Sequence, residues 1–177
     1  MEKNGSYGDE GVIWHQHSNR LLIAIMKLWG NDTKVRDIGC GHNWYANTLK
    51  FFGYDAMGID GADFPSVDVV KDVTEPLMLE EGSNVMSFEV GEHIPLEKCT
   101  GYFDNLCSTG GDVILSWALP GQAGIGHINC QSNEWVIVLM RVRGYKIDWN
   151  RSMELRRAVA DCHCSWFRET LMYFVKY

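Results

Sequence analysis

Between residues 89 and 95 the chain reads Glu-Val-Gly-Glu-His-Ile-Pro, which places Glu89, Glu92 and His93 within five residues at the end of a largely apolar segment. Two carboxylates and an imidazole at that spacing converge if Gly91 lets the backbone bend. Hard oxygen donors with one imidazole suit Mg²⁺, Mn²⁺ or Fe²⁺ better than a structural zinc ion. The same imidazole, with a pKa near 6.5, can take a proton from an attacking hydroxyl. A plainer role is compatible with both: Glu92 and His93 stand where the helix opening near Pro95 favours acidic and capping side chains.

A second cluster lies upstream. Asp37-Ile38-Gly39-Cys40-Gly41-His42-Asn43 ends a short predicted strand and opens a helical run, the place where ligands bind in open α/β sheets. Glycines there allow a tight turn and close backbone approach, and the N–H groups of a helix start can meet an anionic ligand group. A plain strand-to-helix turn has the same glycines, and Asn43 occupies the place of the third glycine of a dinucleotide fingerprint. Ile59-Asp60-Gly61 comes about twenty residues later, the spacing at which a carboxylate reaches ribose hydroxyls. Downstream, residues 117–127 hold three glycines and Pro120, which reads as a hinged loop over the same edge, ending at His127. Trp14 and Tyr7, with Trp44 and Trp117, offer aromatic faces to a sugar or flat ring, and Gln122 is placed to touch the acceptor.

The elements that must position these groups alternate. Helical spacing of apolar residues over 10–29 predicts an N-terminal helix closed by Gly30-Asn31-Asp32. Strands are expected at 34–38, 54–59, 67–70, 84–90, 112–117, 144–149 and 170–176. Helices are expected at 44–52, 96–106, 132–142 and 152–162, with Ser132 as a cap. Strands separated by helices require crossover connections, hence a largely parallel sheet with helices on both faces. No repeat or linker divides residues 1–177, so one domain is expected, with 1–30 as a helical cap on a core over 31–177.

With these motifs in place the sequence resembles the class I S-adenosylmethionine-dependent methyltransferases from about residue 34 to the C-terminus. The resemblance implies an α/β, Rossmann-like fold whose seven-stranded sheet is mostly parallel with an antiparallel last strand. It also implies a cofactor site of Asp37, Gly39, Cys40, Gly41, Asp60, Gly61, Asp72 and Val73, with Glu89 beside it at the tip of the fourth strand. Glu89 to His93 is similar to the Glu-x-x-Glu-His motif of methyltransferases acting on hydroxyl groups, including ubiquinone-pathway and small-RNA 2′-O enzymes. That likeness implies a divalent cation, Mg²⁺ or Mn²⁺, on Glu89, Glu92, His93 and His127, and a catalytic set of His93, His127 and Glu89. The loop around His127 is short and departs from the pattern. A nicotinamide enzyme of related fold is disfavoured, because the third glycine is absent and 177 residues leave no second half-sheet.

Composition narrows the partners. With 16 Lys+Arg against 23 Asp+Glu and a net charge of −7, the chain lacks the clustered cations of a backbone-tracking nucleic-acid binder. No apolar run approaches the ~20 residues of a membrane span, and the first residues do not read as a signal peptide. Six scattered cysteines read as reduced thiols, so a cytoplasmic protein is expected; Cys162-His163-Cys164 alone is a weak zinc signal. The expected substrate is a small-molecule or glycan hydroxyl. RNA 2′-O-methylation and a non-catalytic binding module are the alternatives, and oligomeric state is not legible.

Overall fold

The computed structural model describes residues 17–160 and 163–177. Helix α1 (Asn19–Trp29) leads into β1 (Lys34–Ile38), α2 (Trp44–Phe51), β2 (Asp55–Asp60), β3 (Val69–Val70) and β4 (Asn84–Ser87). After two 3₁₀ turns, Gly91–His93 and Leu96–Lys98, come α3 (Cys99–Cys107), β5 (Val113–Leu115), α4 (Asn133–Arg141), β6 (Tyr145–Ile147), α5 (Trp149–Ala158), α6 (Phe167–Thr170) and β7 (Met172–Lys176). The seven strands form one sheet in the order β3-β2-β1-β4-β5-β7-β6. The first five run parallel, and β7 is antiparallel to both β5 and β6.

Two apolar layers hold the helices to the sheet. Leu21, Ile25, Ala46, Leu49 and Leu155 from α1, α2 and α5 pack on one face. Tyr102, Phe103, Leu106, Val136 and Met140 from α3 and α4 pack on the other. This two-sided burial is why β5 reads as a continuous apolar run, whereas β1, Lys-Val-Arg-Asp-Ile, carries Arg36 and Asp37 buried within it. Helix α1 is pinned further by the Trp29 indole, which donates to the Tyr173 hydroxyl at 3.0 Å. Among the described residues no helix is long and apolar enough to cross a membrane.

Several boundaries differ from the sequence reading. Helix α1 starts only at Asn19, where the Ser18 side chain accepts the Leu21 N–H, and residues 10–16 of the expected helix lie outside the described residues. The sixth strand stops at Ile147 because Asp148 caps α5, its carboxylate accepting the Arg151 N–H at 3.0 Å. Strand β4 ends at Ser87, three residues short of Val90, and that early end shapes the site.

Candidate active site

The glycine turn after β1 holds three left-handed residues: Gly39 at φ 77°, Gly41 at φ 53° and Asn43 at φ 55°. The Gly39 and Cys40 N–H groups both donate to the Ile59 carbonyl, at 2.8 and 3.1 Å. Gly41 donates to Asp60 Oδ2 at 2.8 Å, and Ala62 donates to Asp60 Oδ1 at 2.8 Å. Asp60 thus stitches the turn to the end of β2, beside Gly61. Asn43 stands where a dinucleotide fingerprint has its third glycine, and asparagine is among the few other residues that enter this backbone region readily. Its amide donates to Ser66 O at 2.7 Å and Asp68 Oδ2 at 3.0 Å. A β-carbon on Gly58 would sit 1.9 Å from Asn43 Oδ1, so Gly58 makes room for this side chain.

Asp37, which opens the turn, is buried, and its Oδ2 meets no hydrogen-bond donor. Burial first, and the Asp60 charge second, push its pKa up to about 8. Burial likewise raises the Cys40 thiol. Asp72 has its own partners: Oδ1 accepts the Thr74 N–H at 2.9 Å and the Thr74 hydroxyl at 2.7 Å, while Oδ2 lies 3.3 Å from Lys98 Nζ. Burial alone would raise this carboxyl, but those hydrogen bonds outweigh it and hold it below the ordinary range. Val73 is a buried core residue beside Leu77 and Tyr102.

Beyond Ser87 the chain leaves the sheet. Glu89 takes φ 53°, an uncommon conformation for a residue other than glycine or asparagine, and its N–H donates to Ser116 Oγ at 2.9 Å. The sequence points to Gly91 for the bend, yet Gly91 has a different task. A β-carbon there would lie 2.1 Å from the Trp117 ring, so this glycine admits the indole. Glu89 is largely enclosed: Gln122 Nε2 donates to its Oε2 at 2.7 Å, and its Oε1 meets no donor. Glu92 is fully buried with neither oxygen in hydrogen-bond geometry. Burial, then the neighbouring Glu89, raises the Glu92 carboxyl well above its usual range.

Two imidazoles complete the cluster. His127 Nε2 lies 3.8 Å from Glu92 Oε1, and the His93 and His127 rings meet edge to face at 5.1 Å. Ligand atoms of Glu92, His93 and His127 all fall within 4.8 Å of one another. Each ring has Nδ1 on a backbone carbonyl, His93 on Gly126 O and His127 on Gln122 O, both at 3.1 Å. A carbonyl only accepts, so Nδ1 carries the proton in both rings, and in the neutral form Nε2 carries the lone pair. The loop over 119–131 is anchored by Ile128 and Asn129, whose N–H groups donate to Glu92 O at 2.9 Å.

The structure therefore brings Glu89, Glu92, His93, His127 and Gln122 together, although Glu89 stands outside the tightest triangle. Trp117 is a correction: it is wholly buried, stacked on Phe103 with its indole N–H on Asn129 O, and presents no face to an acceptor. Its apolar strand runs on into the core, whereas a side chain next to a loop reads as exposed. Trp14, Tyr7 and Cys162 lie outside the described residues. Trp44 stacks on His17 with centroids 3.8 Å apart. Ser116 is a site residue that the sequence reading misses, and a hydroxyl just past a buried strand is the one signal for it. The side-chain role of Asn43 has no local signal beyond its place in the turn.

No family model matches the chain, and no curated protein matches it. Solved structures do. A TehB-like S-adenosylmethionine-dependent methyltransferase from Corynebacterium glutamicum aligns with a TM-score of 0.66 at 16% identity, covering 92% of this chain and 90% of that one. Magnesium protoporphyrin IX methyltransferase from Synechocystis, with bound S-adenosylhomocysteine, aligns at 0.60 and 16% identity over 72% of this chain and 71% of its own. The [4+2]-cyclase SpnF aligns at 0.57 and 14% identity, over 88% and 77%. At such identities the likeness establishes the fold, which is the Rossmann-like fold of class I methyltransferases. A cyclase shares it, so the reaction must be argued from the site.

Proposed function

We propose that this chain is an S-adenosylmethionine-dependent O-methyltransferase acting on a hydroxyl of a sugar, glycan or other small molecule. One observation carries the reading: a buried Glu92 without hydrogen-bond partners, grouped with His93 and His127, lies on the sheet edge that also holds the glycine turn and Asp60. The turn of Gly39, Cys40 and Gly41, with Asp37, Asp60, Gly61, Asp72 and Val73 around it, is the cofactor cradle in this reading. Glu89 stands between cradle and acceptor.

A hydroxyl is a poor nucleophile at neutral pH, and the group that takes its proton must hold an available lone pair. In the neutral ring Nε2 of His127 is the nitrogen left with the lone pair, because Nδ1–H lies on the Gln122 carbonyl, and it meets that requirement, with the His93 ring beside it. The sulfonium methyl needs no activation from the protein. What remains is alignment of the two reactants in line, for which orientation supplies several kcal/mol.

The donor set also fits a divalent cation. Glu92 presents two buried oxygens without donors, His127 turns Nε2 toward it with the His93 ring alongside, and both Nδ1 atoms lie on carbonyls in the manner of ligating histidines. Glu92, His93 and His127 would hold Mg²⁺ or Mn²⁺, with Glu89 at its side. When bound, such an ion lowers the pKa of an oxygen that it touches.

Titration calorimetry with S-adenosylhomocysteine, followed by mass detection of methylated products across a panel of sugars, glycans, phenols and short RNA, tests the reading. Saturable binding with transfer to a hydroxyl supports it. Absence of binding at millimolar ligand removes the cofactor assignment, and transfer to RNA or to nitrogen replaces the acceptor.

A further inference from the structure

Gln122 touches the site at three points. Its Nε2 donates to Glu89 Oε2 at 2.7 Å, its Oε1 accepts the Leu119 N–H at 3.3 Å, and its carbonyl receives His127 Nδ1–H at 3.1 Å. Glu89 lies just past β4 and His127 lies in the loop after β5, so a single residue joins two side chains that are 38 positions apart in sequence. The side chain's grip on Glu89 fixes where the backbone carbonyl sits, and that carbonyl in turn decides which nitrogen of His127 carries the proton. On the other side the ring rests on Gly124, where a β-carbon would lie 2.1 Å from His127 Nε2. The imidazole is thus set between the Gln122 carbonyl on one side, where Cys130 Sγ also lies 3.8 Å from Nδ1, and a bare glycine on the other.

We infer that Gln122 is a positioning residue: its amide clamps the Glu89 carboxylate while its carbonyl sets the His127 tautomer, so that Nε2 faces Glu92. The inference deepens the proposed O-methyltransferase reading, and it replaces the expectation that Gln122 meets the acceptor. Its Nε2 donates to Glu89 Oε2, and it acts on the reaction through that carboxylate and the His127 ring. The arrangement needs an amide at 122 and a carboxylate at 89, because a hydrogen bond between the two positions requires one donor and one acceptor.

The experiment is long-range ¹⁵N–¹H NMR of the histidine side chains in the full chain, with His127 assigned from the spectrum lost in His127→Asn. In the wild type, His127 Nε2 is expected at the downfield shift of an unprotonated nitrogen and Nδ1 at that of a protonated one. Gln122→Ala and Gln122→Glu are expected to move both signals toward tautomeric averaging, and Gly124→Ala to displace them from the other side. The exchanged pair Glu89→Gln/Gln122→Glu, which keeps one amide and one carboxylate at the same two positions, is expected to return the wild-type pattern. An unchanged His127 spectrum in Gln122→Ala overturns the inference, as does an exchanged pair that behaves like Gln122→Glu alone. Circular dichroism separates these outcomes from unfolding. Because the tautomer is read without cofactor or acceptor, failure of S-adenosylhomocysteine to bind would sink the proposed reaction and leave this result standing.

Discussion

Val90 packs directly on Gly39: a β-carbon added at Gly39 would sit 2.4 Å from Val90 Cγ2. The turn proposed to cradle the cofactor and the segment that carries Glu89 and Glu92 are therefore one packed unit. Gly39→Ala is expected to lose S-adenosylhomocysteine binding and to destabilise the fold, because φ 77° costs a non-glycine residue about 1–2 kcal/mol and the overlap adds about 1–3 kcal/mol. Adding Val90→Ala should recover the overlap and not the backbone cost. Denaturant titration of the two variants checks this; equal stabilities would mean that the contact is unimportant.

Asp37 gives the fold a pH dependence of known sign. Its pKa is about 8 in the native protein against 3.8 for a free side chain, so between these pH values the native state holds a proton that the unfolded chain has released. Stability contributed by that proton is fully present below the unfolded value and falls as pH rises toward 8, by about 1.4 kcal/mol per unit where the states differ by a full proton. Asp37→Asn is neutral throughout and should remove this slope. Urea unfolding of both proteins from pH 5 to 9 is the measurement. Parallel profiles would place the titration elsewhere.

The parts of the fold that are legible in the sequence are those set by local pattern. Strand β1 runs over the expected Lys34–Ile38, because the turn residues Gly30-Asn31-Asp32 before it and Gly39-Cys40-Gly41 after it bound the segment. The antiparallel final strand follows from the methyltransferase resemblance and is present as β7. What stays hidden depends on residues distant in sequence. Glu89 leaves the sheet because Ser116, 27 residues away, captures its N–H, and no local pattern announces that. Trp117 reads as an acceptor-facing aromatic until Gly91, which lacks a β-carbon, admits its ring into the core. The Glu92–His127 pair is reached only through a family motif, since neither spacing nor periodicity links two loops after different strands.

Asn43 isolates the cost of a left-handed backbone. Asn43→Gly keeps the conformation at φ 55° without strain but loses the hydrogen bonds to Ser66 and Asp68 and the side chain over Gly58. Asn43→Ala loses the same contacts and adds the strain, about 1–2 kcal/mol. Alanine is therefore expected to be the less stable of the two, by roughly that amount less the few tenths that glycine loses through its freer unfolded chain. Thermal denaturation read against the wild type orders the three proteins. A glycine variant as unstable as the alanine variant would show that the hydrogen bonds dominate.

Glu92 separates a metal site from a metal-free base. Its buried carboxyl has no donor, so in the absence of a cation the side chain is favoured in its protonated form, and Glu92→Gln should cost little stability. Divalent cation is a different matter. An ion that binds only the native state at about 100 times its dissociation constant adds about 2.7 kcal/mol, which raises the midpoint by roughly 5–10 °C in a domain of this size. Mn²⁺ or Mg²⁺ should therefore raise the melting temperature of the wild type, a chelator should reverse it, and Glu92→Gln and His127→Asn should show neither effect. With an acceptor in hand, turnover should fall on chelation and return with Mn²⁺. A melting temperature indifferent to both ions would eliminate the cation and leave His127 Nε2, turned toward Glu92 by the Gln122 carbonyl, as the group that takes the proton.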